Sequence, residues 1–521
     1  MNSVALSPAH VVASAGPQAS SSKRSMVGLV GIFLAAMMAG LNTRVGALAL
    51  ADVRGAMGLG FDDGSWLTTA YSAGELIAMP FSAWFAITLS VRRLELWMLG
   101  GCTLLALILP FIHDLDLLLT LRFVQGIASG TTIPLLMMAA LKFLPPPIRL
   151  YGLALYAMTA TFAPNLSIWL AGHWTDGLQD WRWVYWQIIP LALIAAGLIA
   201  WGLAKEPIQV PRFRQANWFG MACGVPAFGL ITVALDQGVR LDWFNSPLIT
   251  SSLLVGLALL AIYLLTEWYH PSPFIKLQIL GRRNLGLGCT LFFALLVVLM
   301  SSALLPANYL GALQDYRPFQ MASVGLIVAL PQLVLGPVVA LLLYQKWVDA
   351  RVVFALGLCL IALACLAGSQ LTSEWNRDQF VMAQTLQALG QPMAVVSMLF
   401  LITSVVQPAE GPYVSGTINT LRAFGSLAGA AAVAQLITVR GRFHGEMLLD
   451  QGALAGNSLA FVPEPAQLMS LIGQQSLVLS IADAYRVLGL LALLLIPLVL
   501  RLTYIPAPVM HAASAPSSSH G

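Results

Sequence analysis

Four ionisable residues lie deep inside apolar runs: Arg44, Glu75, Arg122 and Arg422, with Asn42 and Asn419 as uncharged polar companions. A charge at the centre of a membrane-spanning helix costs at least ~2.5 kcal/mol, so residues of this kind are candidates for function by default. A carboxyl in a low-dielectric site takes up or releases a proton according to how near an arginine stands. Glu75 is read as the only carboxylate deep within a run, the others lying near ends or in loops, and hence as a proton carrier, with Arg122 and Arg44 as its coupling partners. At ~1.5 Å rise per residue, Arg44 and Glu75 lie about 10 and 15 Å from the outer ends of their runs. Those depths suit an ion pair, which could equally serve only to fix helix register.

Around these charges the polar residues recur at helical spacing. Arg122, Gln125, Gly126 and Ser129 share one face; Ser415, Asn419, Arg422 and Ser426 share another; Gln384, Gln387 and Gln391 form a third. Such faces should look into a helix bundle or a wet cavity. For Gly126 and Gly130 the alternative is close packing through a small-xxx-small interface, which explains the glycines but not the arginine. The substrate-cavity residues expected are Asn42, Tyr71, Gln125, Gln387, Gln391, Asn419 and Arg422. An adaptable apolar wall could come from Met37, Met38, Tyr71, Met158, Phe162, Trp169, Phe292, Phe293 and Met393, each of which could instead be core or lipid-facing.

The elements that position them must be membrane helices. Of 521 residues only 9% are charged and 58% are hydrophobic, far from a water-solvated surface. A net charge of +4, dispersed along the chain, also excludes a nucleic-acid binder. No metal, nucleotide or hydrolytic motif appears, neither an enzyme nor a cofactor is expected, and all five cysteines sit in apolar runs without disulfide spacing. Fourteen runs approach the ~20 residues needed to cross the bilayer: 27–51, 65–89, 95–112, 116–141, 150–172, 183–203, 217–237, 247–267, 284–308, 320–344, 351–371, 378–403, 413–438 and 481–503. An even number of spans puts both termini on one side, and that side carries 15 Lys/Arg against 8 opposite, so the termini are expected in the cytoplasm. Residues 1–25 and 505–521 read as disordered tails, and 439–480 as an extracytoplasmic loop with a short interfacial helix. A shift of 257 residues aligns Pro80 with Pro337, Ala83 with Ala340, Gly100 with Gly357 and Cys102 with Cys359, pairing spans two and three with ten and eleven.

Several segments carry a family resemblance. Leu121-Arg122-Phe123-Val124-Gln125-Gly126 resembles motif B of the major facilitator superfamily, in which a span-four arginine is associated with proton coupling. Residues 414–425 resemble the SGxxNxxRxxG run of the fourteen-span drug:proton antiporters of the EmrB/QacA type, and Gly64-Ser65-Trp66 with Tyr71 and Pro80 resembles their second span. Gln474-Gln475 and Asp483 resemble the approach to their last helix. Three departures stand out: Leu41-Asn42-Thr43-Arg44 lacks the acidic residue usual in span one, Ala163 to Gly172 keeps only the final glycine of motif C, and Ser90-Val91-Arg92-Arg93 lacks the aspartate of motif A.

The resemblance implies an all-α major facilitator fold of two six-helix halves, 26–205 and 276–504, separated by an inserted helix pair, 206–275. It implies export of small amphipathic compounds, powered by the proton gradient across an inner (plasma) membrane; the charge inventory itself, three arginines to one carboxylate, points to anionic or neutral substrates. Partners would be the substrate, protons and the bilayer; in some members of the family a periplasmic adaptor, with an outer-membrane channel, joins them. The rival readings are a solute importer or facilitator of the same fold and a membrane sensor or scaffold without transport.

Overall fold

The computed structural model describes residues 23–144, 148–455 and 465–508; most of the two expected tails lies outside them. Fourteen helices are long and apolar enough to span a bilayer: Arg24–Leu48, Phe61–Leu89, Val91–Phe111, Leu115–Phe143, Arg149–Gly177, Trp183–Gly202, Trp218–Gln237, Pro247–Tyr269, Arg283–Leu313, Pro318–Leu343, Ala350–Gly368, Arg377–Thr403, Gly411–Gln451 and Ala466–Leu500. They are numbered spans 1 to 14, and they form two six-helix halves plus two extra central helices. Leu254, Leu265, Leu363, Leu366 and Leu490 are exposed on the bundle's periphery, the surface that a hydrocarbon solvent permits and water does not.

Glycines set how closely spans approach. A Cβ on Gly126 would sit 2.1 Å from the carbonyl oxygen of Tyr71, one on Gly74 2.2 Å from that of Phe123, and one on Gly130 2.5 Å from that of Glu75. Spans 2 and 4 therefore touch backbone to backbone, and this contact fixes the height of Glu75 against span 4. Across the two halves, Gly172 and Gly325 do the same for spans 5 and 10, against Phe319 and Asn165.

Two spans are interrupted ahead of a proline. Span 4 divides at Thr131 ahead of Pro134, and span 9 at Leu299 ahead of Pro306. A proline cannot donate to the carbonyl four residues back, so that oxygen needs another donor when buried in a membrane protein. Gln384 Nε2 donates to the Ser302 carbonyl freed by Pro306 (2.8 Å), and Gln332 Nε2 to the Ala388 carbonyl freed by Pro392 (3.1 Å).

The inserted pair, spans 7 and 8, packs on span 2 through an aromatic cluster in which the Phe274 ring lies 5.0 Å from that of Phe81 and 5.1 Å from that of Trp84. Spans 12 and 13 are tied to the start of span 9 by Arg282, which donates to both Glu410 carboxylate oxygens (2.7 and 2.8 Å) and holds that carboxyl below the usual range.

Residues 439–480 depart from the loop with a short interfacial helix expected of them. Span 13 belongs to one helix, Gly411–Ala455, and span 14 to another, Pro465–Leu500; residues 456–464 lie outside the described set. Forty-five helical residues extend about 68 Å, more than twice the ~30 Å hydrocarbon core. Arg440 and His444 of that stretch join the two helices: Asp483 accepts from Arg440 Nε (2.6 Å) and Arg486 (2.9 Å), and lies 2.8 Å from His444 Nε2.

Candidate functional site

Between the halves lies a cavity of about 460 Å³, lined by spans 1, 2, 4, 5, 7, 9, 12 and 13. Its wall runs from Met79, Ile133, Leu296 and Ala423 near mid-membrane to Leu48, Thr68, Asp236 and Asn308 at the span ends remote from the termini. Arg44, Glu75, Arg122 and Arg422 all line it, so residues separated by up to 378 positions meet in one space.

The charges meet without the expected pairing. Glu75 Oε2 accepts a hydrogen bond from Thr43 Oγ1 at 3.1 Å, and among the described residues no ion pair joins Arg44, Arg122 or Arg422 to Glu75. Arg122 is diverted: its guanidinium donates to Gln125 Oε1 (2.6 Å) and stands 4.5 Å over the Tyr71 ring and 5.2 Å over that of Tyr185. Aromatic faces stabilise a desolvated cation without neutralising it. Arg422 crosses between the halves, donating to Thr159 Oγ1 (2.5 Å) and to the Thr159 carbonyl (2.6 Å).

The polar stripes divide between cavity wall and helix-to-helix contact. Tyr71, Gln391 and Arg422 line the cavity; Asn42, Gln125, Gln387 and Asn419 do not, and stand in the shell behind it. Asn42 Nδ2 donates to the Tyr71 hydroxyl (2.9 Å), Gln125 holds Arg122, and Gln387 donates to Ser301 Oγ (2.8 Å) beside the break in span 9. Asn419 accepts from the Tyr156 hydroxyl (2.8 Å), while Ser415 donates to the Pro134 carbonyl (2.6 Å). The span-13 stripe thus bridges to spans 4 and 5 and closes the bundle beneath the cavity, on the side of the termini.

One correction concerns the apolar wall of the cavity. Of the expected apolar lining only Tyr71 reaches the cavity, whose apolar wall is made by Met79, Leu296, Leu299, Met300 and their neighbours, because the break at Leu299 turns that segment inward. Two further carboxylates also bear on the interior. Glu95 in span 3 is wholly buried, with no partner among the described residues for either carboxylate oxygen, and Asp236 in span 7 lines the cavity. Both lie near span ends; neighbouring helices bury Glu95 there, whereas Asp236 stays exposed on the cavity wall.

On the side remote from the termini, Arg317 at the start of span 10 reaches across to the other half. It donates to Asp52 (2.6 Å) beyond span 1 and to Asp176 (2.5 Å) at the end of span 5. Among the described residues no group of His, Cys, Asp and Glu could hold a metal ion.

Residues 32–275 match the family model described as Major Facilitator Superfamily. The chain is 23% identical over 435 residues to the multidrug export protein EmrB of Escherichia coli K12, covering 81% of this chain and 82% of that one. It is also 23% identical over 415 residues to the fatty acid resistance protein FarB of Neisseria gonorrhoeae, covering 79% and 80%. Among solved structures, the human organic anion transporter MFSD10 superposes with a TM-score of 0.55 at 14% identity, covering 90% of this chain and 99% of that one. The proton:xylose symporter XylE gives 0.54 at 12%, covering 93% and 97%. Fourteen spans in two halves with an inserted pair and a cavity at their interface are a major facilitator fold, nearly half of the chain matches that superfamily's model, and over most of its length the chain is similar to the multidrug export protein EmrB.

Proposed function

We propose that this protein exports small amphipathic compounds, anionic or neutral, in exchange for protons, by alternating access of the cavity between its halves. The observation that carries the reading is the meeting of Glu75 with Arg44, Arg122 and Arg422 in that cavity. Unit charges ~4 Å apart interact by about 4 kcal/mol at an effective dielectric constant near 20, so three arginines bias a cavity toward anions. The names of EmrB and FarB, export of drugs and resistance to fatty acids, support a substrate that is amphipathic.

In this account 26–205 and 276–504 are the moving halves, 206–275 is the inserted unit, and both termini are cytoplasmic in a plasma (inner) membrane. The cavity then faces outward, closed toward the cytoplasm by the contacts of Ser415, Asn419 and Arg422 with spans 4 and 5. Opening inward requires Arg422 to leave Thr159 and the Arg317 clamp to take the closing load outside. A proton on Glu75 removes its attraction for the cavity arginines, and loss of that proton inside restores it, so protonation and the position of Arg422 are linked. Asn42, Gln125, Gln387 and Asn419 act by holding the lining residues, and Tyr71 and Gln391 meet the substrate directly.

Reconstituted protein should accumulate an aromatic sulfonate against its gradient when a pH gradient is imposed. Displacement of that probe by quaternary ammonium dyes better than by carboxylates of similar size would refute the anion preference. Orientation has its own test. A cysteine in place of Asp242, between spans 7 and 8, should react with an impermeant maleimide added outside intact cells; labelling only after permeabilisation would reverse the topology.

A further inference from the structure

The inserted helix pair contributes a residue to the cavity that neither half supplies. Asp236, near the end of span 7, lines the cavity wall, and Thr69 of span 2 donates to its Oδ2. The next residues lock this helix end in place. Gln237 Nε2 donates to Thr69 Oγ1 (2.5 Å), Arg240 Nε donates to Gln237 Oε1 (2.6 Å), and Arg240 also binds Asp62. The one nearby cation on span 7's own end is therefore committed to Asp62, and among the described residues Asp236 belongs to no ion pair. Asp236 thus brings to the cavity wall a carboxylate that no cation among the described residues pairs with.

The cavity is consequently polarised along span 2. Thr69, at the height of Asp236, precedes Glu75 by six residues, about 9 Å along the helix axis. Arginines 44 and 422 line the deeper part and Asp236 the part nearer the mouth. A ligand complementary to both ends carries an acidic group below and a protonated amine above, on a rigid apolar body about 9 Å long. We infer that Asp236 is a specificity-determining residue of the transport cavity, recognising the ammonium group of amphoteric aromatic substrates whose acidic group rests on the arginines. This inference rests on the export reading for its biological setting, but the subsite itself is a property of binding.

The test compares two probes of one scaffold, an aromatic carboxylate with and without a protonated amine about 9 Å away, on detergent-purified wild type and Asp236→Asn, by calorimetry and by flux in proteoliposomes. The asparagine amide oxygen can still accept from Thr69, and binding of the simple carboxylate reports whether the variant is folded. Wild type should bind the amine-bearing probe about tenfold more tightly than the simple acid, the factor worth about 1.4 kcal/mol. In Asp236→Asn that preference should vanish while the simple acid binds within twofold of wild type. Equal weakening of both probes, or an unchanged preference, overturns the inference. If the preference depends on Asp236 but wild type moves neither probe against a gradient, the subsite stands and the export reading falls.

Discussion

Glu75→Gln will abolish uphill transport, lowering pH-gradient-driven accumulation at least about 100-fold, while substrate exchange at equal concentrations on both sides persists. The amide keeps the shape of the carboxyl, and its oxygen can still accept from Thr43 Oγ1, so the 3.1 Å contact between spans 1 and 2 need not be lost. What it cannot do is bind and release a proton. Exchange needs only that the cavity alternate with substrate aboard; net uphill movement needs the returning proton. Proteoliposomes loaded with unlabelled substrate, then given labelled substrate with and without a pH gradient, separate the two. Preserved accumulation against a gradient would remove Glu75 from the carrier role.

Gly126→Ala should be the most damaging single methyl in the protein. Its Cβ would stand 2.1 Å from the Tyr71 carbonyl oxygen and 3.0 Å from the carbonyl carbon, both backbone atoms that cannot swing aside. Spans 2 and 4 would have to separate, and with them the heights of Glu75 and Arg122. Overpacking typically costs about 1–3 kcal/mol, and a clash with backbone belongs at the upper end. Gly100→Ala is the matched control, because nothing stands within 4 Å of its Cβ. Thermal denaturation followed by size-exclusion chromatography should show a clear loss for Gly126→Ala and almost none for Gly100→Ala; similar melting of the two would contradict the packing argument.

The spans and their central charges were legible because bilayer physics leaves few alternatives: an apolar run near 20 residues must be a helix, and an arginine inside one must face protein or water. Arg44, Glu75, Arg122 and Arg422 meet for that reason. Helical periodicity does not say what a polar face looks at. Asn419 and Gln387 share stripes with Arg422 and Gln391, yet one meets Tyr156 and the other Ser301, one layer behind the cavity. Gln384, on the stripe of Gln387 and Gln391, serves the carbonyl freed by Pro306, 78 positions away in sequence. Asp236 was passed over as a residue near a span end because only the packing of span 7 on span 2 brings it to the cavity wall. Residues 439–480 misled for the opposite reason: polarity marks where a helix leaves lipid, not where it stops. The bonds of Arg440 and His444 to Asp483 hold two helices together past that point.

The exchange of substrate for protons is tested most directly by the sign of proton movement. Proteoliposomes carrying an internal pH-sensitive dye, with no initial pH gradient, receive an inward gradient of a permanently charged aromatic sulfonate, which cannot carry protons through the lipid itself. Antiport predicts that the lumen turns alkaline as substrate enters, and that Glu75→Gln abolishes the signal. Acidification of the lumen, or substrate entry with no pH change, would contradict the account.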